Sequence, residues 1–385
     1  MTLPSVAATS VIVAVDSFKG TISASSAAAA ICSGWRSVDP HAKLRPFPMA
    51  DGGEGTLAAF LSAVPGARRM PLEVDGPGGI PVQAAWVLLP PTQSIPGGTA
   101  VVELAGTSGI ELLGSTRLRP MDADSLGLGQ AIAAALAHGV SRLVVGIGSS
   151  ASTDGGMGLL SALGARFMDG AGVPVARGGR GLGSLETVDL SDLTPVPSEG
   201  VVVLADVTNP LLGSRGAAAV FGPQKGASPE EVATLESGLA RLAGLVGSDP
   251  MTAGAGAAGG TGYALLAWGA QLVPGSATIA ELVGVHTAIE AATAEATLIV
   301  TGEGSFDGQS AGGKVPHHVA GLAARAGIPI ALVAGRVAPD ADTSTFVSVL
   351  SLTTLAGSAA AAIASPERWL TVAGAQLARR FGSSS

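Results

Sequence analysis

The chain has 385 residues, of which 47% are hydrophobic and 13% charged, with a net charge of -8. Its length exceeds one average domain and predicts two compact lobes, while the acidic balance excludes a nucleic-acid partner, whose phosphates demand a basic face. A single cysteine, Cys32, excludes both an intramolecular disulfide framework and a cysteine zinc site.

In chain order, the first predicted unit is a βα pair. An apolar, β-branched strand over 11–15 leads to a polar turn over 16–21 and a helix to about Trp35, capped by Ser23. Cys32 falls in the Ala-rich part of that helix and reads as a packed core thiol. A second pair follows, with a strand over 44–49 and a helix over 54–63. From 68 to 104 the rhythm changes: the runs 69–74, 82–89 and 99–104 are separated by Gly/Pro turns with no helix between them, which predicts antiparallel strands. A helix over 124–138, a strand over 142–148 and a helix over 156–163 come next. They are followed by a buried strand over 201–204 and an amphipathic helix over 229–245 with Ser228 as its cap.

Further helices run to about residue 294, and the pattern then returns to βαβ. It reads as strand 297–301, helix 314–326, strands 328–334 and 346–350, and a closing helix to Phe381. Both ends carry parallel-sheet character and the middle does not. The predicted fold class is therefore α/β: a discontinuous Rossmann- or flavodoxin-like domain from residues 1–66 and 295–385, with a second α/β domain, 67–294, inserted. The opening MTLPSVAATS has neither a basic region nor a long apolar core, and no apolar run is clean enough to span a bilayer despite a mean hydropathy of +0.47. A soluble, cytoplasmic protein with no membrane partner is expected.

Five polar clusters sit where a strand hands over to a helix, the place where open α/β sheets put ligands. In DSFKGT (16–21), Asp16, Lys19 and Gly20 suit a phosphate at a helix start, or else Asp16 and Thr21 are simple caps. In MADGGEGT (49–56), Asp51 and Glu54 suit a divalent cation or polyol hydroxyls, and equally suit helix capping. The small-residue loop GSSASTDGG (148–156), with Ser152 and Asp154, lets backbone amides reach a phosphate or carboxylate; a plain turn with Thr153 or Asp154 as cap is the alternative. Asp206 ends a buried strand, where an uncompensated charge is costly, and Asn209 and the Lys225 of GPQKG follow it. The fifth cluster gathers Gly302, Glu303, Gly304, Asp307 and Lys314 in TGEGSFD (301–307) and GGK (312–314).

Two formal motifs are decoys. Residues 308–314 spell a P-loop, but Val315 stands where the magnesium-binding hydroxyl belongs and no strand feeds Gly308. The G-x-G-x-x-G of 254–259 lacks a preceding strand, so close helix packing or a substrate-facing loop is expected there. The five histidines show no metal-ligand spacing and no triad partners, and His317 and His318 read as surface or interface residues. Acids, lysines and amide-rich loops without a covalent nucleophile are the inventory of phosphoryl transfer.

Seven stretches, DSFKG, MADGGEGT, GIGSSASTDGG, DVTNPL, FGPQKGA, GAGAAGG and TGEGSFDGQSAGGK, together resemble the bacterial two-domain glycerate kinases, in that family's order. The resemblance implies a Rossmann-like lobe from both chain ends and transfer of the ATP γ-phosphate to D-glycerate with Mg2+, with the 2-phosphate favoured over the 3-phosphate. On this reading, ATP and glycerate occupy the cleft between the lobes. Lys19, Gly20, Gly302, Gly304, Lys314 and Asp16 bind the nucleotide; Glu303 and Asp307 face the metal; Asp51, Glu54, Ser152 and Asn209 bind substrate. Asp206 is the expected general base, Asp154 its substitute, and Lys225 the anchor of the substrate carboxylate. A monomer or homodimer is expected. Two departures stand out. The family usually has a basic residue after GEG, where this chain has Ser305-Phe306, so Lys314 or Arg336 must supply the charge; and GIGSSAS replaces the commoner GIGGSAT. Rival readings are a kinase for another small hydroxy acid and a non-catalytic ligand-binding protein on the same scaffold.

Overall fold

The computed structural model describes residues 9–114, 118–292, 296–307 and 314–382, and the chain divides into two compact units. Unit 1 comprises Met1–Asp51, Ala58–Pro65 and Ser276–Ser385; unit 2 comprises Gly52–Leu57 and Gly66–Gly275. In chain order the strands are β1 (Ser10–Val15), β2 (Lys43–Pro48), β3 (Arg68–Asp75), β4 (Pro81–Leu89), β5 (Thr99–Glu103), β6 (Arg142–Gly146) and β7 (Arg166–Met168). They continue as β8 (Thr187–Asp189), β9 (Val201–Leu204), β10 (Gln271–Val273), β11 (Thr297–Phe306), β12 (Ile330–Val337) and β13 (Ser348–Ser351). The P-loop-like stretch 308–313 lies outside the described residues.

Unit 1 is built on a five-stranded sheet, β13-β12-β11-β1-β2, in which every neighbouring pair is parallel. Parallel strands covered on both faces need continuous apolar runs, and Val11, Ile12, Val13, Leu298, Ile299 and Val300 supply them, all buried. Read from β2 across to β13, the unit's own strands run 2-1-3-4-5, the flavodoxin-like order. The order reverses between β1 and β11. The helix Ala24–Arg36 begins as its sequence predicts, with the Ser23 hydroxyl accepting from the Ser26 amide, and it carries Ile31 and Trp35 into the core.

Two of the expected elements of unit 1 take a different form. β11 does not stop at Thr301 but runs on to Phe306, pairing Glu303 with Ala334 and Ser305 with Arg336. Gly302 is thus a strand residue, and a Cβ there would fall 2.0 Å from the Val333 carbonyl oxygen. The closing helix is three helices, Leu352–Ala356, Ala359–Ala364 and Pro366–Phe381.

Unit 2 holds a six-stranded mixed sheet, β10-β9-β6-β5-β4-β3. β3, β4 and β5 are antiparallel, as their turn-separated pattern predicts, whereas β5, β6, β9 and β10 are parallel. The carboxyl ends of those four strands therefore share one edge, which carries Glu103, the loop after β6, and Asp206. The helix Pro229–Val246 opens on a full capping box between Ser228 and Glu231. Among the described residues, no helix is long and apolar enough to cross a membrane.

Candidate active site

In unit 2, the loop after β6 is organised by Asp154. Its carboxylate is fully buried; Oδ2 accepts from the Ser125 amide (2.9 Å), the Ser125 hydroxyl (2.8 Å) and the Gly158 amide (3.1 Å), and Oδ1 accepts from the Gly156 amide (3.1 Å). Ser125 Oγ in turn accepts from the Leu159 amide (3.0 Å). Asp154 thereby ties the loop to the first turns of the helices Leu126–Ala137 and Met157–Ala162. The sequence reading did not single out Ser125; its signal was a short polar pair, Asp124-Ser125, ahead of an apolar run.

Against this loop lies Lys225, only 3% exposed. Its Nζ donates to Ser150 Oγ (2.7 Å) and to the Ser152 carbonyl. Burial pushes its ammonium down to about 7, and the Asp154 carboxylate acts in the opposite sense. The hydroxyls of Ser152 and Thr153 are buried without a hydrogen-bond partner among the described residues. Buried hydroxyls in that state are uncommon and mark a place where a ligand can bond. Segment 254–260 backs the same loop: Gly259 has φ 66°, its Cβ would lie 2.0 Å from the Ser152 carbonyl oxygen, and its own carbonyl accepts from the Gly155 amide (3.1 Å). The glycines of this G-x-G-x-x-G serve close packing.

Asp206 follows β9, and its Oδ1 accepts from the Gly275 amide (2.7 Å) just beyond β10. Asn209 is half-buried; its Nδ2 donates to the Arg215 carbonyl (2.8 Å) and its backbone carbonyl accepts from the Gly256 amide (2.9 Å). Glu54 is exposed. Beneath its loop sits Glu103, which the sequence reading missed although an acid ending the apolar run TAVVE was the available signal. Glu103 Oε2 accepts from the Leu57 amide (3.0 Å), at the first turn of the helix Thr56–Ala63. Burial pushes its carboxyl up to about 7, opposed by the Leu57 and Gly55 amides and reinforced by Glu54.

In unit 1, the reversal point between β1 and β11 gathers acids. Asp16 Oδ1 accepts from the Ser17 amide (2.6 Å), and its carboxyl is held well above the usual carboxylate range by burial, then by Asp51, with Glu303 adding to the effect. Lys19 and Gly20 are exposed in a tight turn closed by bonds between Phe18 and Ile22 (3.0 and 3.2 Å). DSFKG therefore closes on itself ahead of the helix and does not form the helix start. Gly304 packs on this turn, where a Cβ would lie 3.2 Å from the Lys19 backbone nitrogen. Lys314 Nζ lies 3.9 Å from Glu303 Oε2 and 3.9 Å from Asp307 Oδ1. Arg336 Nη2 donates to Ser305 Oγ (3.3 Å), so a guanidinium stands beside the position where the family usually has a basic residue.

The structure thus brings Asp16, Asp51, Glu303, Asp307 and Lys314 into one neighbourhood of unit 1, and Ser152, Asp154 and Lys225 into one neighbourhood of unit 2. Together these features define an α/β protein whose acids, lysines and hydroxyls collect at the carboxyl ends of parallel strands. The sequence model of the glycerate kinase family matches residues 11–382. The chain is 40% identical over 337 residues to the glycerate 2-kinase of Escherichia coli (strain K12), covering 86% of each. It is 39% identical over 339 residues to the glycerate kinase of Bacillus subtilis (strain 168), again covering 86% of each. A crystal structure of a Salmonella typhimurium LT2 protein assigned as glycerate kinase 2 superposes with a TM-score of 0.79 at 36% identity, over 97% of this chain and 98% of that one. The chain belongs to the glycerate kinase family.

Proposed function

We propose that the protein transfers the γ-phosphoryl group of ATP to the 2-hydroxyl of D-glycerate, releasing ADP and 2-phospho-D-glycerate. The family supports the reaction, and the relative named glycerate 2-kinase supports the position. The observation in this chain that carries the reading is Lys225. A buried ammonium beside unpartnered hydroxyls gains most from an anion of matching size, and the glycerate carboxylate is one.

In this reading Lys225, Ser152 and Asn209 hold the carboxylate and hydroxyls of glycerate, with Glu54 at the polyol side. Asp206 accepts the proton of the attacking hydroxyl, its carboxylate oriented by the Gly275 amide. Asp154 is better suited to positioning than to proton transfer, because its oxygens already accept four bonds. Lys19 and Lys314 neutralise phosphate charge and Gly20 offers its turn amide, while Gly302 and Gly304 let β11 pack closely against β12 and against the Phe18–Lys19 turn. Arg336 supplies the cation that Ser305 lacks. With ATP as donor, the reaction belongs in the cytoplasm.

Mg2+ fits unit 1. Among the described residues no three metal-binding side chains converge, but Mg2+ typically takes one or two carboxylates together with substrate phosphates and water. The crowding of Asp16 by Asp51 and Glu303 is a charge arrangement that a dication relieves. Glu303 and Asp307 would hold it, and when bound it would screen the phosphate charge and align the transferring group.

An ADP-release assay with D-glycerate and a panel of small hydroxy acids tests the reading. D-glycerate is expected to be the preferred acceptor, and a faster rate with another acid would replace it. Asp206→Asn is expected to lower turnover by about 10²–10⁴ with nucleotide binding retained, whereas near-normal turnover would remove Asp206 as the base.

A further inference from the structure

Apart from the loops above, unit 1 places two histidines face to face. His286 lies in the helix Val285–Glu290 and His318 in the helix Val315–Ala326, and these helices pack together. Both side chains are half-buried, their Nε2 atoms are 3.2 Å apart, and their ring planes differ by 21°. One imidazole donates its N–H to the other. The 32-residue separation hides this pairing from any reading of sequence spacing. His317 is exposed and takes no part.

We propose that His286 and His318 form a two-imidazole chelate for a divalent transition-metal ion, with Zn2+ as the fitting ion. Zn–N bonds are about 2.0–2.1 Å, which puts two nitrogen ligands of one tetrahedral ion about 3.3 Å apart. The observed separation is close to that distance, and each ring must turn so that its lone pair meets the ion instead of the other ring. The proton on the donating Nε2 moves to Nδ1 of the same ring, so both Nε2 atoms present lone pairs and no proton is released. Imidazole suits zinc, copper and nickel, whereas Mg2+ prefers oxygen, so this site is chemically distinct from the nucleotide cation. Water completes the coordination, since among the described residues no third His, Cys, Asp or Glu converges there.

Burial disfavours the charged form of His318, with His286 and Arg325 adding to the effect. The Arg325 cation also opposes a dication, which moderates the affinity. A bound ion would pin the helix 285–290 to the helix that begins directly after Lys314.

The test uses tag-free, EDTA-treated full-length protein, titrated with Zn2+ by calorimetry with and without excess Mg2+, and melted in parallel. Saturable uptake of one Zn2+ per chain, indifferent to Mg2+ and accompanied by a higher Tm, is expected. His286→Gln and His318→Gln should each weaken uptake by about tenfold or more and abolish the Tm rise, with metal-free melting near that of the parent. If one variant does not fold, the other carries the test. No saturable uptake by the parent protein, or uptake unchanged in the folded variants, overturns the proposal.

Discussion

In unit 2 the buried carboxylate of Asp154 meets four donors supplied by neighbouring backbone and Ser125. In unit 1 the carboxyl of Asp16 meets the Ser17 amide and the repulsion of Asp51 and Glu303. Both groups lie in loops that follow parallel strands, yet one is satisfied by the fold and the other is crowded by like charge. The first arrangement is complete before any ligand arrives and serves as a strut. The second is left with like-charge repulsion that a cation would relieve. The contrast teaches that acids in Gly-rich loops divide into those that build a site and those that use it, and hydrogen-bond partners distinguish them.

The largest effect that would break this contrast is expected at Asp154. Asp154→Ala leaves four buried donors without their acceptor and should cost roughly 3–5 kcal/mol of stability, read as a fall in Tm. A change within experimental error would show that Asp154 is not a strut. Next, Lys225→Met should lower turnover by about 10²–10³ while ATP binding is kept. The pH dependence follows from the same ammonium, whose value of about 7 means that it is charged below that pH and neutral above it. An anion prefers the charged form, so the KM for glycerate should rise as pH climbs through 7, while the KM for ATP stays level. A glycerate KM that falls with rising pH would contradict Lys225 as the carboxylate anchor.

The smallest expected effect is at Ser149, which holds φ 62° within the loop after β6. That backbone conformation costs a non-glycine residue about 1 kcal/mol, and the commoner family spelling has glycine there. Ser149→Gly should therefore raise stability by about that amount without altering turnover. A loss of stability would mean that the hydroxyl's contacts outweigh the strain.

These contrasts also show which parts were legible in the chain. Ser23 and Ser228 act within one helical turn, so their caps could be read from neighbouring residues. The antiparallel β3-β4-β5 ribbon was legible because its turns are too short for crossovers. The extension of β11 through Gly302–Phe306 was not, since it depends on pairing with β12 some thirty residues on. Clusters near Asp16, Asp154 and Lys225 stood out because charge is sparse in this chain, but their roles rest on partners such as Ser125, Ser150 and Asp51 that only folding brings near. Glu103 was hidden by the apolar strand that it ends, and β10 by its three-residue length.

The central claim is tested most directly by phosphorus NMR of the products formed from ATP and D-glycerate. The account predicts ADP together with a phosphomonoester on the 2-hydroxyl, its signal coupled to the proton on C2. A phosphomonoester on the 3-hydroxyl, or no transfer to glycerate by folded protein, would contradict it.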